Sequence, residues 1–334
     1  QPDVMARLLA EESANVQAVA RAVREFDPAF VLIAARGTSD NAARYAQYML
    51  GIHAGLTVGL AAPSIHTLYQ APPRMSRALV IGISQSGMSA DVNQVLIDAR
   101  AQGALTVSIT NNPESPLAQG AAHHIALHAG EEISVAATKT YTAELTAVAM
   151  LTAALADSSE MHAALQGLPD AARQTLVYSE PIRAWAERYR YMSYFAALGR
   201  GYNYATAFEI SLKVKELCYV IGHAYSEADF LHGPIAIIQP GFPVFVTAPR
   251  GKTAHHMRDL LERLKGREAE SLVISDDPDA FTHARQKMLL PALPEWLSPI
   301  VAILPGQVFA LSLAIAKGHE VDKPRGLNKV TVTE

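Results

Sequence analysis

The chain has 334 residues, of which 50% are hydrophobic and 18% are charged, and its formal net charge is -4. This length is typical of two domains of about 150 residues each, and the composition is ordinary for an α/β protein. The absence of a basic excess argues against a nucleic-acid partner. The single cysteine, Cys218, excludes a disulfide within the chain and a CxxC metal site. Residues 1–26 lack the apolar core of a signal peptide, so we expect a cytoplasmic protein.

Three short apolar runs in the first half predict buried strands at 30–34, 78–83 and 105–109. Each run ends in a turn of small or polar residues, and segments with helical periodicity, such as 90–101, lie between them. Strands that alternate with helices in this way form a parallel sheet covered on both faces. An Ala-rich helical region at 151–186 leads into the second half.

The second half repeats the pattern, with strands predicted at 194–198, 242–248 and 272–275. Arg36-Gly37 corresponds to Arg200-Gly201, and Gly87 corresponds to Gly251, in each case 164 residues later. Landmarks that keep one spacing over half a chain indicate an internal duplication. The sequence therefore predicts an α/β protein with two tandem, doubly wound, flavodoxin-like parallel-sheet domains at residues 20–160 and 180–334.

The most apolar stretch of the chain is 299–316. Pro305 and Gly306 should interrupt it, which leaves it too short to span a bilayer. We predict a buried helix preceded by a turn, and no membrane partner.

A hydroxyl-rich turn, Ser84-Gln85-Ser86-Gly87-Met88-Ser89, follows one predicted strand and precedes a helix. Backbone N–H groups at a helix N-terminus favour an anion, and Ser hydroxyls add donors. A simple helix cap is the alternative. The copy at 248–253 has lost most of these hydroxyls, which indicates one phosphate site per chain. The turn after the first strand contains Thr38 and Ser39 and should lie beside this loop. Because ligands of such sheets bind at the carboxyl ends of strands, Thr38 or Ser39 would reach the same ligand, and a helix N-cap is the alternative.

Three charged residues, Glu209, Lys213 and Glu216, share one face of a helix predicted at 205–220. Such a triplet forms either a solvated salt-bridge face or, if partly buried, a tuned acid–base group. His232 precedes Gly233-Pro234, a turn that would present its imidazole, and an ordinary surface histidine is the alternative. Lys329, near the end of the chain, is either a solvated lysine or a Schiff-base amine.

The motifs in chain order resemble the double sugar-isomerase (SIS) domain proteins. This group includes the isomerase half of glutamine–fructose-6-phosphate aminotransferase and the SIS-type glucosamine-6-phosphate deaminases. The resemblance extends from about residue 25 to the end of the chain. It rests on residues 36–39, 84–91, 135–139, 212–216, 232–234 and 329–331.

The resemblance implies a role for each matching residue. The phosphate would bind Ser84, Gln85, Ser86 and Ser89, and the sugar would be lined by Thr38, Ser39, Val135 and Ala137. Glu216 would move a proton between C1 and C2 of the open-chain sugar with support from Lys213. His232 would open the sugar ring from the neighbouring subunit, which implies a homodimer with shared active sites. Lys329 would form a Schiff base with the keto sugar. No metal, nicotinamide or other cofactor is required.

Several departures from the aminotransferase pattern bear on the reaction. No N-terminal glutaminase domain or cysteine nucleophile is seen in the chain, so we expect it not to hydrolyse glutamine. Arg36 stands at a Cys position, and Ala137 replaces a Ser. His223 and Asp229 each stand where a Glu is usual. The expected reaction is that of an aminosugar-phosphate deaminase and aldose–ketose isomerase, hydrolysing glucosamine 6-phosphate to fructose 6-phosphate and ammonia.

Two alternatives stay open. The same residues suit an isomerase or deglycase acting on another sugar phosphate or amino sugar phosphate, or the ammonia-dependent amination of fructose 6-phosphate. A non-catalytic regulator that binds a phosphosugar is the alternative from another class. The sequence shows no helix-turn-helix that would support it, and Glu216, His232 and Lys329 together argue against it.

Overall fold

Two compact units make up the protein in a computed structural model that describes residues 1–329. The first unit contains Gln1–Pro169 together with the tail from Leu327, and the second is Asp170–Gly326. Each unit contains one five-stranded sheet in which all strands are parallel. The prediction of an α/β protein with two tandem parallel-sheet domains is therefore confirmed.

The first unit alternates strands and helices after an N-terminal helical pair. Its strands are β1 (Phe30–Ala34), β2 (Val58–Leu60), β3 (Ala78–Ser84), β4 (Leu105–Thr110) and β5 (His123–Ala126). Its helices are α1 (Pro2–Glu11), α2 (Ser13–Phe26), α3 (Gly37–His53), α4 (Ser64–Thr67), α5 (Ala90–Ala101), α6 (Pro116–Gly120), α7 (Lys139–Leu155), α8 (Ser159–Gln166) and the first residues of α9 (Leu168–Ser179).

The strand order of the first sheet is β2-β1-β3-β4-β5. All seven residues of β3 are buried, which explains why this strand is a continuous apolar run. From β1 the chain moves outward in one direction through α3, and from β3 it moves in the other direction through α5. This reversal opens a crevice at the carboxyl ends of β1 and β3, the usual ligand position in doubly wound sheets.

The second unit has the same order of elements. Its strands are β6 (Tyr194–Gly199), β7 (Ile221–Ser226), β8 (Pro243–Thr247), β9 (Glu270–Ser275) and β10 (Gln286–Leu289). Its helices after α9 are α10 (Ile182–Trp185), α11 (Tyr204–Cys218), α12 (Glu227–Leu231), α13 (Ala254–Gly266) and α14 (Ser298–Ala316). Short 3-10 helices lie at Ala186–Tyr191, Gly201–Asn203, Pro234–Ile237, Pro278–His283 and Glu295–Leu297.

The second sheet repeats the topology of the first, with the order β7-β6-β8-β9-β10. The strand register repeats as well. Ile33 pairs with Ile81, and the residues 164 positions later, Ala197 and Phe245, pair with each other. A shared register at one spacing is what an internal duplication produces.

Helix α14 differs from the sequence expectation in one respect. The helix continues through Pro305, which was expected to interrupt it. Pro305 has no N–H to donate within the helix, and at this point α14 packs closely against α11, where a Cβ added at Gly306 would lie 2.7 Å from Cγ1 of Ile210. Within residues 1–329, one stretch, Glu295–Ala316, is long and apolar enough to cross a membrane. Because 78% of its most apolar window is buried, it has the character of a core helix.

Candidate functional site

The loop between β3 and α5 holds its own backbone with two of its serines. The Gly87 N–H donates to Oγ of Ser84 at 3.1 Å, and the Met88 N–H donates to Oγ of Ser86 at 3.3 Å. Ser84 is buried, whereas Gln85 and Ser86 are partly exposed. The loop is thus pre-shaped at the carboxyl end of the central strand.

Ser89 occupies the N-cap position of α5, yet its side chain makes no capping hydrogen bond. In the same unit, Ser115 caps α6 by accepting from the Ala118 N–H, and Ser158 caps α8 by accepting from the Met161 N–H. The hydroxyl-rich turn therefore does not fit the alternative of a simple helix cap. The Val92 N–H of the first turn donates to Oδ1 of Asp91 at 2.9 Å, which leaves the first two N–H groups of α5 and the Ser89 hydroxyl suited to an anion.

Gly87 is required by the shape of the loop. Its φ is +67°, a left-handed conformation that favours glycine. A Cβ at this position would overlap the side chain of Ser115 and lie 3.1 Å from Oγ1 of Thr110. The Gly87 carbonyl in turn accepts from the Leu117 N–H at 3.3 Å. Gly87 therefore allows the loop to pack closely on the turn after β4.

Thr38 and Ser39 lie in the first turn of α3, at the end of β1. The structure thus places them at the same edge of the sheet as the loop after β3. Ser39 is buried and donates a 2.8 Å hydrogen bond to Oε1 of Glu144, a residue of α7 that is itself buried. Thr38 is partly exposed. Ser39 is therefore fixed in the core by this hydrogen bond, whereas Thr38 is more accessible to a ligand.

Sequence reasoning missed a cation beside this loop. The Nε atom of Arg36 lies 2.7 Å from Oδ2 of Asp91, which is fully buried in the first turn of α5. The Arg36 side chain is 48% exposed. No Lys or Arg lies within the loop itself, so the loop sequence gives no sign of this cation. Nothing local to either residue signals a pairing between positions 55 apart.

The segment containing Val135 and Ala137 is organised by the buried Glu132. One carboxylate oxygen accepts from the N–H groups of Thr138 and Lys139, each at 3.1 Å, and the other accepts from the Thr140 N–H at 3.2 Å. This carboxylate lies at the N-terminus of α7, where the helix dipole favours negative charge. Val135 and Ala137 are both partly exposed on the resulting loop.

Lys329 is brought to this same loop, although it is 195 residues distant in sequence. Its Nζ atom donates a short hydrogen bond to the carbonyl of Ser134, next to Val135. The alternative of a freely solvated lysine does not match this contact. Val330 and Thr331, which complete the terminal motif, lie outside the described residues.

The charged face of α11 is largely buried. Glu209 is fully buried and Lys213 is 1% exposed, whereas the Glu216 side chain is 24% exposed. Nζ of Lys213 lies 2.6 Å from Oε2 of Glu216 and 3.5 Å from Oε1 of Glu209. The alternative of a solvated salt-bridge face is therefore wrong, because α11 packs against α14, β6 and β7.

Two opposing effects set the charge of Lys213. Burial by itself lowers the pKa of this lysine, but the Glu209 and Glu216 carboxylates outweigh burial and raise the pKa above its usual value. The raised pKa favours the ammonium form of Lys213. Lys213 holds one oxygen of Glu216 in place while part of that carboxylate faces solvent.

His232 lies just after α12 and is exposed. Gly233 follows with a φ of +154°, and Pro234 begins the next 3-10 helix, so the turn presents the imidazole outward. Among residues 1–329, no hydrogen bond or ion pair joins His232 to Glu216 or Lys213. Asp229 accepts from the Ser226 hydroxyl at 2.6 Å at the start of α12, and the exposed His223 lies on β7. Within the second unit, the structure thus brings Lys213 and Glu216 together and leaves His232 separate.

The sequence of this chain matches a known domain family and several of its members. The model of the SIS domain matches residues 11–154 and 196–317. The glutamine–fructose-6-phosphate aminotransferase (isomerizing) of Pyrococcus horikoshii is 34% identical over 309 residues, covering 91% of this chain and 52% of that protein. The chain thus spans about half the length of the curated relatives it matches.

Solved structures of related proteins have the same fold as this chain. A structure from Silicibacter pomeroyi, described as a phosphosugar isomerase, superposes with a TM-score of 0.85 at 33% identity and covers 96% of both chains. The glucosamine-6-phosphate deaminase of Thermotoga maritima superposes with a TM-score of 0.77 at 21% identity, over 99% of this chain and 100% of that one, which shows a shared fold. The two domain matches coincide with the two parallel sheets, and the chain belongs to the SIS domain family.

Proposed function

We propose that the protein is an aminosugar-phosphate deaminase and aldose–ketose isomerase that converts glucosamine 6-phosphate and water to fructose 6-phosphate and ammonia. The observation that carries the proposal is the ion pair between Glu216 and the buried Lys213. Moving a proton between C1 and C2 of a sugar needs a carboxylate held in a fixed position. An ammonium buried beneath that carboxylate supplies the position.

The substrate phosphate is proposed to bind the loop Ser84–Ser89. The uncommitted Ser89 hydroxyl and the N-terminus of α5 support this role. The Arg36 guanidinium, paired with Asp91 at the same helix end and about half exposed, offers further N–H donors beside the loop. A fixed phosphate would hold the rest of the open chain in one position for proton transfer.

The reaction is proposed to proceed by proton transfer and imine exchange, with no redox step. Open-chain glucosamine 6-phosphate has an aldehyde at C1 and an amine at C2. Glu216 removes the C2 proton to give an enolamine, and the proton returns at C1, which leaves an imine at C2. The Lys329 amine displaces ammonia to form a Schiff base at C2, and water then releases the ketone and restores the amine.

His232 is proposed to open the sugar ring, acting in the site of a second copy of the chain. The resemblance suggests this arrangement, and the exposure of the imidazole on a rigid turn supports it. Mixing Glu216→Gln and His232→Ala chains tests the arrangement. Recovered activity in the mixture is expected, whereas no recovery would mean that each site is complete within one chain.

A second candidate is the reverse reaction, amination of fructose 6-phosphate by ammonia. The similarity to proteins named as aminotransferases favours it. Against it, Ala137 lacks the hydroxyl that the resemblance places near the sugar in those enzymes. Assays in both directions separate the two, with ammonia release expected to be faster at low ammonia.

The direct test is to incubate the protein with glucosamine 6-phosphate and to follow ammonia and fructose 6-phosphate together. We expect equal amounts of both products, with turnover lost in Glu216→Gln. Glu262→Gln, on α13, is the matched control and should keep full activity. No turnover by the native protein, or full turnover by Glu216→Gln, would contradict the proposal. Glucosamine without phosphate should react poorly, and other phosphosugars define the alternatives.

A further inference from the structure

The second unit contains a counterpart of the phosphate loop, and this counterpart already holds an anion. Residues 248–253 join β8 to α13, as the loop Ser84–Ser89 joins β3 to α5. Gly251 stands 164 residues after Gly87, at the spacing that relates the two sheets. The hydroxyls of the first loop are mostly absent from the second. The anion is a side chain of the protein itself.

The carboxylate of Glu295 lies on this second loop. Its Oε2 accepts from the Lys252 N–H at 2.7 Å, and its Oε1 accepts from the Thr253 hydroxyl at 3.0 Å. Glu295 comes from the 3-10 helix Glu295–Leu297, more than 40 positions away in sequence. A backbone N–H and a hydroxyl at the start of a helix are the donors that bind a phosphate oxygen at such loops.

Gly251 accommodates the carboxylate closely. A Cβ at this position would overlap the Glu295 carboxyl group and lie 2.7 Å from its Cγ. The φ of +138° also disfavours a side chain. The Glu295 carboxylate therefore fills the space directly over the glycine, where a loop of this type brings its backbone close to a ligand.

Helix α13 begins beside two carboxylates, Glu295 at Lys252 and Thr253, and Asp276 at the Arg250 N–H earlier in the loop. Thr253 is its N-cap but makes no side-chain capping bond, and the first turn of the helix contains no acidic residue. Helix α5 differs, because its first turn contains Asp91, which is neutralised by Arg36. The negative charge that the dipole of α13 favours is thus supplied by Glu295. Its influence extends to the phenol of Tyr202, whose pKa is raised to about 12 by burial and by Glu295.

We propose that Glu295 is a built-in anion that occupies the phosphate position of the second loop, so that the native chain binds phosphate only at the first loop. Removing the carboxylate opens a second site for a phosphate or phosphosugar, with Lys252 and Arg250 as exposed cations beside it. This inference goes beyond the proposed reaction, because it concerns a loop that the reaction does not use.

The experiment compares the native chain with Glu295→Ala by calorimetric titration with inorganic phosphate. We expect one additional phosphate per chain in the variant. Phosphate should also raise the midpoint of thermal unfolding of the variant by about 4 °C more than that of the native chain, when compared with chloride at equal ionic strength. Asp276→Ala is the matched control, since Asp276 accepts from the Arg250 N–H of the same loop at 2.8 Å. It should gain no phosphate.

The outcomes are distinguishable. Equal phosphate stoichiometry in the native chain and in Glu295→Ala would overturn the proposal. If Glu295→Ala does not fold, Glu295→Ser, which also empties the space over Gly251 but keeps a short polar side chain, should show the same phosphate-specific gain in unfolding midpoint. If the native chain binds no phosphate and the variant binds one, the result would support this inference. It would also count against the role of the Ser84–Ser89 loop. The two proposals can therefore fail separately.

Discussion

The Nζ atom of Lys213 lies 2.6 Å from Oε2 of Glu216, and the lysine is buried beneath a carboxylate that stays partly exposed. The same ammonium lies 3.5 Å from the fully buried Glu209. One lysine thus balances a structural carboxylate and positions the proposed base. These two roles can be separated by mutation.

Lys213→Met should lower both stability and activity. Removing one partner of a buried charge pair costs on the order of 3 kcal/mol. We expect chemical denaturation to show that loss, and the double variant Lys213→Met/Glu209→Gln to regain much of it. Activity should stay low in both variants, because Glu216 has lost its anchor. Lys215→Met, exposed on the same helix, is the control. Recovery of activity together with stability in the double variant would mean that Lys213 is only structural.

Gly87→Ala should impair the proposed phosphate loop, Ser84–Ser89, more than backbone strain alone would. Gly103 also has a positive φ, +81°, but an added Cβ there meets nothing within 4 Å. Gly103→Ala therefore measures the conformational cost, about 1 kcal/mol. Gly87→Ala adds the overlap with Ser115 and should weaken phosphate binding at least tenfold in a calorimetric titration. The double variant Gly87→Ala/Ser115→Gly should regain part of the lost phosphate affinity. If Gly87→Ala and Gly103→Ala change phosphate affinity equally, this account is wrong.

Arg36→Gln should raise the KM for phosphorylated substrates by about tenfold, since hydrogen bonds to charged groups contribute about 1.5–3 kcal/mol and half of this side chain is exposed. Arg36→Lys should lie between the native protein and Arg36→Gln. Arg100→Gln, at the other end of α5, serves as the control and should leave KM unchanged. The dependence of KM on salt should also weaken in Arg36→Gln. An unchanged KM would mean that Arg36 only pairs with Asp91 and does not bind the substrate.

His124 should titrate below pH 6.5. Burial lowers the pKa of its imidazole, partly opposed by Glu12 and by the hydrogen bond with Ser108, while His128 lowers it further. Because the folded-state pKa lies below the unfolded value, the stability contributed by the neutral ring is fully present above pH 6.5 and is lost as pH falls below it. An NMR titration of the ring protons gives the midpoint. Between pH 6.5 and 5, the free energy of unfolding should fall less in His124→Gln than in the native protein. If it falls equally steeply with pH in both proteins, the prediction is wrong.

Much of the fold could be predicted from consecutive residues. β1 and α5 lie at the predicted positions, because a strand buried on both faces is an apolar run and a helix repeats every 3.6 residues. The edge strands β2 and β10 were not predicted, because they are short and partly exposed. Helix α11 ends at Cys218 where Tyr219 adopts a left-handed conformation with φ +55°, which no local signal indicated.

The sequence by itself determined the repeated strand–turn–helix order and the position of the Ser84–Ser89 loop between β3 and α5, since both are properties of neighbouring residues. Only the tertiary structure decided which charges meet. It pairs Arg36 with Asp91, buries Lys213 beside Glu209, brings Lys329 to Ser134 and seats Glu295 on the second loop. Packing of distant segments sets these contacts, and burial sets their strength, because a charge removed from water interacts mainly with the partner that the fold places beside it.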